Sequence, residues 1–478
     1  MALAVTVTPS GAIVVGGIAN GNATFWTGQP DQQTVNLPTS VNGSMFLARV
    51  STAGALTWLR TAGNSTAASV TAVAAVGEDV MVAGTHGNAV DDVVLAVGEP
   101  SETHLKLTGM FLARYRSDGT MAWARPTGGN AFVTARQIAL TPQGGVVAVG
   151  SFSGSPTFGP GETHATTLQH NGGNDSGFIA RFEPDGSLSW ALPIHDAETI
   201  YTNDYNVAVK PDGTILLGIS YNGSVALPGS AGTGVTLTPS LTGTTGFAIA
   251  CYESDGRLRW ARTTGGRASV QVRDLIVLED GSAVASGQIQ PLTGVETDPT
   301  LGQATFGLGE PNQTTLSVNT INGVLAKYDA NGGLTWVRQA PAAFFGYDSL
   351  AELPDHRIVV AGTFGNYIGY PTSATFGPGE PGQVVISWLP GTTTANGMYT
   401  FLAWYNADGS ASNARSVSTA AFSQVTGVTI SPDKSAVLCG AFSTQVTFGP
   451  TDPTPLIFTH GPMSASITQD AYLAKFAY

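Results

Sequence analysis

Four stretches of this chain set chemically capable side chains at one recurring position. Counting six and five residues back from a turn proline, or from the residue in its place, gives Arg136 and Gln137, Tyr205 and Asn206, Arg273 and Asp274, and Asp348 and Ser349. The same count elsewhere gives Leu3 and Ala4, Val70 and Thr71, and Thr426 and Gly427, which are small or apolar. Guanidinium, carboxylate, amide and phenol groups gathered at one level can do two things. They can close on one another as a structural ion-pair ring. Alternatively, they can hydrogen-bond a polar ligand whose apolar face rests on Tyr205 or Tyr347.

Other chemistry is thinly supplied. The histidines are His86, His104, His164, His170, His195, His356 and His460, and none has metal-ligand spacing. His164 and His170 share a segment with Glu162 and Asp175, with His195 and Asp196 in the next connection, and read as solvated loop residues. There is no nucleophile elbow and no Cys–His pairing in sequence. Asp91-Asp92 and the Asp-Gly turns lack the spaced oxygens of a calcium loop. A pair of carboxylates brought together by the fold is the one enzymatic route left open. Cys251 and Cys439 lie in apolar strands and read as buried small hydrophobes. No cofactor is implied.

The element that must position these groups is a repeat. Gly109 to Arg125 (GMFLARYRSDGTMAWAR) recurs as MFLARVSTAGALTWLR from Met45, GFIARFEPDGSLSWAL from Gly177, GFAIACYESDGRLRWAR from Gly246 and GVLAKYDANGGLTWVR from Gly323. Thr400 to Arg415 (TFLAWYNADGSASNAR) has Asn413 in place of the Trp, and AYLAKFAY from Ala471 stops where the turn comes. Seven copies at roughly 65 to 77 residues signal a solenoid, propeller or array. Each copy reads as a β-hairpin, strands c and d, with Pro184-Asp185-Gly186 as a type I turn and Gly186 at the left-handed bulge position. In the expected register Ala180 lies opposite Trp190, so that Phe178, Ala180, Phe182, Leu188 and Trp190 share a face. Trp58, Trp123, Trp190, Trp260 and Trp336 are expected between neighbouring sheets.

A second hairpin, strands a and b, precedes each copy: VTVTPSGAIVVGG from Val5, QIALTPQGGVVAVG from Gln137, then NVAVKPDGTILLG, DLIVLEDGSAVASG, SLAELPDHRIVVAG and GVTISPDKSAVLCG, with AVAAVGEDVMVAG lacking the Pro. A Thr/Gly/Pro-rich segment joins b to c and carries its own core, as in Pro156-Thr-Phe-Gly-Pro-Gly161 and Ala374-Thr-Phe-Gly-Pro-Gly379. Its Phe is expected to tuck back onto the sheet edge. No helix follows these glycines, so they are not phosphate loops.

These units, spanning the whole chain, resemble the bacterial seven-bladed β-propeller repeat families, with kinship to delta-60 repeats. The resemblance implies an all-β, seven-bladed β-propeller of four-stranded antiparallel blades, with blades near 1–63, 64–128, 129–195, 196–265, 266–339, 340–417 and 418–478 in one domain, 1–478. Seven a–b units against six c–d hairpins imply a three-stranded last blade. The ring then closes by face packing of blades one and seven, unless another chain or segment completes the last blade. In such propellers the first strand of each blade lines the central channel. The expected ligand-binding residues, at the channel mouth and on the long-loop face, are therefore Arg136, Tyr205, Asn206, Arg273, Asp274, Tyr347 and Asp348. Aromatic residues near that face are Tyr201, Tyr205, Tyr221, Phe344, Phe345, Tyr347, Tyr367, Tyr370 and Trp388.

Composition narrows the partners. The net charge of −13, with 20 scattered basic residues, disfavours nucleic acid and anionic membrane. No apolar run reaches the ~18 residues of a membrane span. The first residues lack the basic region and cleavage site of a signal peptide. The family implied is largely secreted or surface proteins, so an extracellular or cell-surface location is expected. The expected function is non-catalytic binding or scaffolding, with a glycan or protein as ligand. A hydrolase or lyase at the channel mouth is the alternative.

Overall fold

In the computed structural model, the period-two alternation becomes antiparallel strands grouped by repeat. The structure describes all residues except 38–42, 63–67, 88–91, 107, 130, 171–175, 197–204, 240–243, 293–301, 342–344, 366–372, 388–397, 450–455, 460–468 and 478. Repeat one is a four-stranded sheet, Ala2–Val7, Ile13–Ala19, Ser44–Val50 and Leu56–Thr61, in spatial order a-b-c-d. Repeats two to five begin with Ala68–Val76, Ala131–Leu140, Tyr205–Val209 and Ala268–Val277 and keep that order. Repeat six runs Phe345–Glu352, Ile358–Gly365, Met398–Tyr405 and then a 20-residue strand, Ala411–Ile430. The second half of that strand is also strand a of repeat seven, which continues with Ala436–Phe448 and Asp470–Phe476. Among the described residues no helix is long and apolar enough to cross a membrane.

Each first strand lies against the first strand of the next repeat, and Ala411–Ile430 returns to Ala2–Val7. The apolar cores follow the same circuit, each filling the space between two consecutive sheets. The last is made by Ala2, Val15, Phe46 and Ala48 of repeat one against Cys439 of repeat seven. The sheets therefore depend on one another for burial, as in other repeat architectures.

The c–d register differs from expectation. Phe182 pairs with Leu188, but Ser189 is then skipped and Arg181, not Ala180, lies opposite Trp190. The extra residue turns Trp190 to the other face, away from Phe178 and Leu188 and toward repeat four. There its indole N–H donates to Ser254 O at 3.0 Å. Trp58 and Trp336 repeat this contact on Ser117 O and Ala407 O. The arginine two residues after the Trp stacks on its own indole, 5.7 Å from the ring centroid for Arg60 and 5.5 Å for Arg338. It also donates into the neighbouring turn, Arg60 to Gly119 O and Arg338 to Asp408 O. Each Trp-x-Arg strand thus straps one sheet to the next. Repeat six keeps an indole by moving it across the ladder: Trp404 on strand c lies opposite Asn413, and Arg415 stacks on it.

Between b and c the Thr/Gly/Pro segments form two-stranded ribbons, such as Thr157–Phe158 with Thr166–Thr167 and Ser373–Phe376 with Val384–Ser387. Their phenylalanines do pack on strand c, Phe158 on Phe178 at 5.0 Å and Phe376 on Phe401 at 5.2 Å between centroids. Four residues beyond that Phe, a carboxylate clips the ribbon to strand d. Glu162 accepts the N–H of Leu188, Glu310 that of Leu334 and Glu380 that of Ala411.

Candidate functional site

Six of the seven first strands lose register at the same level, between Ala2 and Ala4, Val70 and Ala72, Ala135 and Gln137, Val272 and Asp274, Tyr347 and Ser349, and Val425 and Gly427. The skipped residues are Leu3, Thr71, Arg136, Arg273, Asp348 and Thr426. Such a bulge leaves its extra residue unpaired and re-aims the side chain. Strand b shows the local cause. A Cβ on Gly287 would lie 1.8 Å from the Gln271 carbonyl oxygen, because the bulge pushes that carbonyl over the glycine. Repeat four has no bulge in Tyr205–Val209; there Ile219, opposite Tyr205, stands at the level of Gly287, and Gly218, one residue earlier, has only ordinary side-chain contacts, from 3.4 Å.

The bulged residues, with Tyr205 and Asn206, line a cavity of about 360 Å³ inside the ring of first strands. A second cavity, of about 10 Å³ beside Phe247 and Phe306, has room for a single water at most. The residues after three of the bulges, Gln137, Asp274 and Ser349, line the cavity too and bond one first strand to another. Asp274 Oδ1 accepts Gln137 Nε2 at 3.1 Å and Leu275 N at 2.8 Å. Its Oδ2 accepts Leu350 N at 2.7 Å and Ser349 Oγ at 3.2 Å. Burial pushes the Asp274 carboxyl above its ordinary range, and those four hydrogen bonds oppose the rise. Gln137 Oε1 accepts Val207 N at 2.6 Å, and Ser349 Oγ accepts Val428 N at 3.1 Å. Thr426 Oγ1 donates to Ala2 O at 3.0 Å and ties the last first strand to the first.

Among the expected site residues, Arg136 and Arg273 are exposed. Arg273 Nη2 is 3.3 Å from Gln271 Oε1. Asp348 is half-buried and accepts Thr363 Oγ1 at 3.0 Å. Asn206 is buried in the wall. Two expectations need correction. Asp274 is held by amide and hydroxyl donors and belongs to no ion-pair ring. Tyr347 does not line the cavity: its ring lies between sheets among Phe376, Phe401 and Tyr405, its hydroxyl bonded to that of Tyr405. It stands just before the bulge, so it points away from the cavity that Asp348 faces. Tyr205 touches the cavity, but its ring is buried against Gly177. Tyr221 is buried too, its hydroxyl bonded to Thr263. No aromatic shelf stands among these three. Tyr201, Phe344, Tyr367, Tyr370 and Trp388 lie outside the described residues, as does the side chain of Phe345.

Elsewhere, His170 Nδ1 is 3.2 Å from Ser176 Oγ, and Glu162 is committed to the Leu188 amide. Burial and nearby His170 hold His195 below its ordinary value. Among the described residues no three His, Cys, Asp or Glu side chains converge as metal ligands. Cys251 and Cys439 are both buried, as the sequence suggests, and burial raises their thiols to about 11 and about 12. Three features went unread in the sequence: the bulges, the Trp-x-Arg strap and the ribbon carboxylate. Each had a signal, namely the glycine inside strand b, the recurring Arg and the recurring Glu.

Fold and site together define an all-β repeat protein with a polar cavity inside its ring of first strands. No family model and no curated protein matches the chain. Among solved structures, one titled "Crystal structure of the eukaryotic initiation factor" is similar over 98% of this chain and 97% of that chain, at 12% identity and a TM-score of 0.36.

Proposed function

We propose that the chain is a seven-bladed β-propeller with a three-stranded last blade, and that it binds a polar group of a glycan or protein at the mouth of its axial cavity. The observation that carries this reading is the ring of bulges, which turns Arg136, Arg273 and Asp348 into one cavity. Two guanidinium donors and a carboxylate acceptor beside the Asn206 amide suit hydroxyls, carboxylates and amides of such a ligand. The volume fits as well, since ligand pockets run to roughly 300–1,000 Å³. Chain connectivity supports the propeller: seven first strands follow one another in a circuit, and the cores fill the gaps between sheets. A hydrolase or lyase needs a carboxylate free to exchange a proton with substrate. Asp274, the most buried carboxylate here, has two donors on each oxygen, which favours binding over catalysis. The resemblance to families of secreted and surface repeats supports a place outside the cell.

The test uses glycan and peptide arrays probed with the native chain and with an Arg273→Ala, Asp348→Ala variant checked for folding. Native binding that drops by about tenfold or more in the variant is the expected result. Equal binding by both places the ligand elsewhere.

A further inference from the structure

Gln137, Asn206, Asp274 and Ser349 stand at one level of four consecutive first strands, and all four line the axial cavity. Three of them follow a rule: each bonds a backbone N–H of the next first strand. Gln137 takes Val207 N, Asp274 takes Leu350 N and Ser349 takes Val428 N. By that rule Asn206 would take Leu275 N, but Asp274 Oδ1 already holds it. Asn206 is 5% exposed, yet its side-chain amide makes no hydrogen bond with a described residue. The little surface it keeps opens on the cavity. Burying an amide without a partner is costly, so this group calls for a partner from outside the chain.

A second unspent group stands one repeat earlier. Arg136, aimed into the cavity by its bulge, makes no hydrogen bond or ion pair with a described residue. Arginines elsewhere are spent within the chain: Arg49 on Glu78, Arg114 on Asp79, Arg181 on Ser254 O and Arg415 on Ala477 O. The first strands that carry Arg136 and Asn206 lie against each other, so five guanidinium donors and an amide open from neighbouring strands. The side of the cavity formed by repeats one and two is aliphatic, with Leu3, Val5 and Val73 half-buried along it.

We propose that the cavity selects an acidic glycan, through a sugar that carries a carboxylate and a hydroxyl. This rests on the cavity being the binding site, as argued above. The carboxylate accepts paired N–H bonds from Arg136, the geometry that guanidinium and carboxylate share. The hydroxyl both donates to and accepts from the Asn206 amide. The C–H face of the sugar lies on Leu3, Val5 and Val73. An acid is favoured because no aromatic shelf stands among Tyr205, Tyr221 and Tyr347. A neutral sugar then has only neutral hydrogen bonds, which replace bonds to water at little gain, whereas bonds to a charged partner are roughly twice as strong. A sugar is favoured over a peptide on two grounds. Strand addition needs open backbone amides, and Val207 N, Leu350 N and Val428 N are already taken by side chains. Asp and Glu side chains bring a carboxylate without the hydroxyl that matches Asn206.

The probe is an array of uronic-acid and sialic-acid glycans beside their carboxyl-reduced counterparts and Asp- and Glu-rich peptides, read with the intact chain. An acidic glycan is expected to bind about tenfold or more tighter than its reduced form. Arg136→Gln should remove about that factor for the acidic glycan and leave the reduced one unchanged. Asn206→Ala should weaken both by about tenfold, since both keep the hydroxyl. Thermal melts without ligand check that each variant folds. Equal binding of acidic and reduced glycans, lost in the Arg273→Ala, Asp348→Ala variant, overturns the acidic sugar and leaves the cavity as the site. Binding that no cavity variant changes removes the cavity reading itself. A preference for the acidic peptides, or no acidic glycan bound, also overturns the proposal.

Discussion

Repeats five and seven make the same lysine–aspartate contact in different surroundings. Lys327 Nζ is 3.1 Å from Asp280, and Lys475 Nζ is 2.6 Å from Asp433; each lysine sits on strand c and each aspartate in the a–b turn. The Lys327 side chain is 9% exposed and that of Lys475 is 33% exposed. The difference is strand d. Trp336 lies directly opposite Lys327 on that side, whereas Lys475 pairs with Val437 of strand b and no described strand pairs with its other side. A strand c is thus placed by its partner b, but it is sealed from water only when d is laid over it.

Trp336→Ala should break the seal on repeat five most severely. The ring is 7% exposed, bonds Ala407 O and carries Arg338, so a loss of about 3–5 kcal/mol is expected in urea melts. Asn413→Ala, at the matching place in repeat six, should change stability by no more than about 0.5 kcal/mol. Equal losses would mean that the Trp strand is not what encloses the sheet.

Next in size is the bulge glycine. Gly287→Ala puts a methyl where the Gln271 carbonyl already lies and should cost roughly 1–3 kcal/mol. Gly218→Ala, in the repeat without a bulge, should cost less than about 1 kcal/mol. Reversal of that order in thermal melts would remove the argument that the glycine serves the bulge.

The lysines test the comparison directly. Lys327→Ala should lose roughly 1–3 kcal/mol because its charged hydrogen bond is largely enclosed. Lys475→Ala should lose ~0–1 kcal/mol, as exposed pairs do. Lys475, first among its partners, holds Asp433 well below the ordinary carboxylate range. Asp280 is also lowered: burial raises it, and the Ser282 and Lys327 contacts outweigh that. A depressed carboxylate contributes stability above its unfolded value, lost as pH falls through the folded one. Stability should therefore fall with acid below about pH 4 in the native chain, and less steeply in either lysine variant. An unchanged acid slope would show that these pairs carry no proton linkage.

The smallest effect concerns thiols. With values of about 11 and about 12, Cys251 and Cys439 should resist a thiol reagent at neutral pH in the folded chain. In mild denaturant Cys439 should label first, because no described strand covers the outer side of Asp470–Phe476 and this sheet should open more readily. Simultaneous labelling would argue that the repeats open as one unit.

The repeat pattern carried most of the architecture. Alternation and turn residues placed strands a to d, the tucked Phe158 and the buried thiols, because those features depend on neighbours in sequence or on simple burial. Register proved harder: one skipped serine moved Trp190 to the opposite face, and nothing in GFIARFEPDGSLSWAL announces that Ser189 will be extra. The site was legible as a level. Counting back from the turn found Arg136, Arg273 and Asp348, since distance along a strand is proportional to residue number. It did not separate cavity from wall. Tyr347, one residue before a bulge, points between sheets, and Asp274, one residue after another, lines the cavity but is bonded to neighbouring first strands.

Sequence alone therefore determined what is periodic: the strand order, the shared turns, the level at which polar groups gather and the absence of a Trp at Asn413. Tertiary structure decided what depends on contact between repeats. It made Gln137, Ser349 and Asp274 into links between first strands, enclosed Lys327 and left Lys475 in water. Those outcomes turn on which sheet lies beside which, and on whether a strand is there to cover it. Such contacts form between residues far apart in the chain, where no local spacing encodes them.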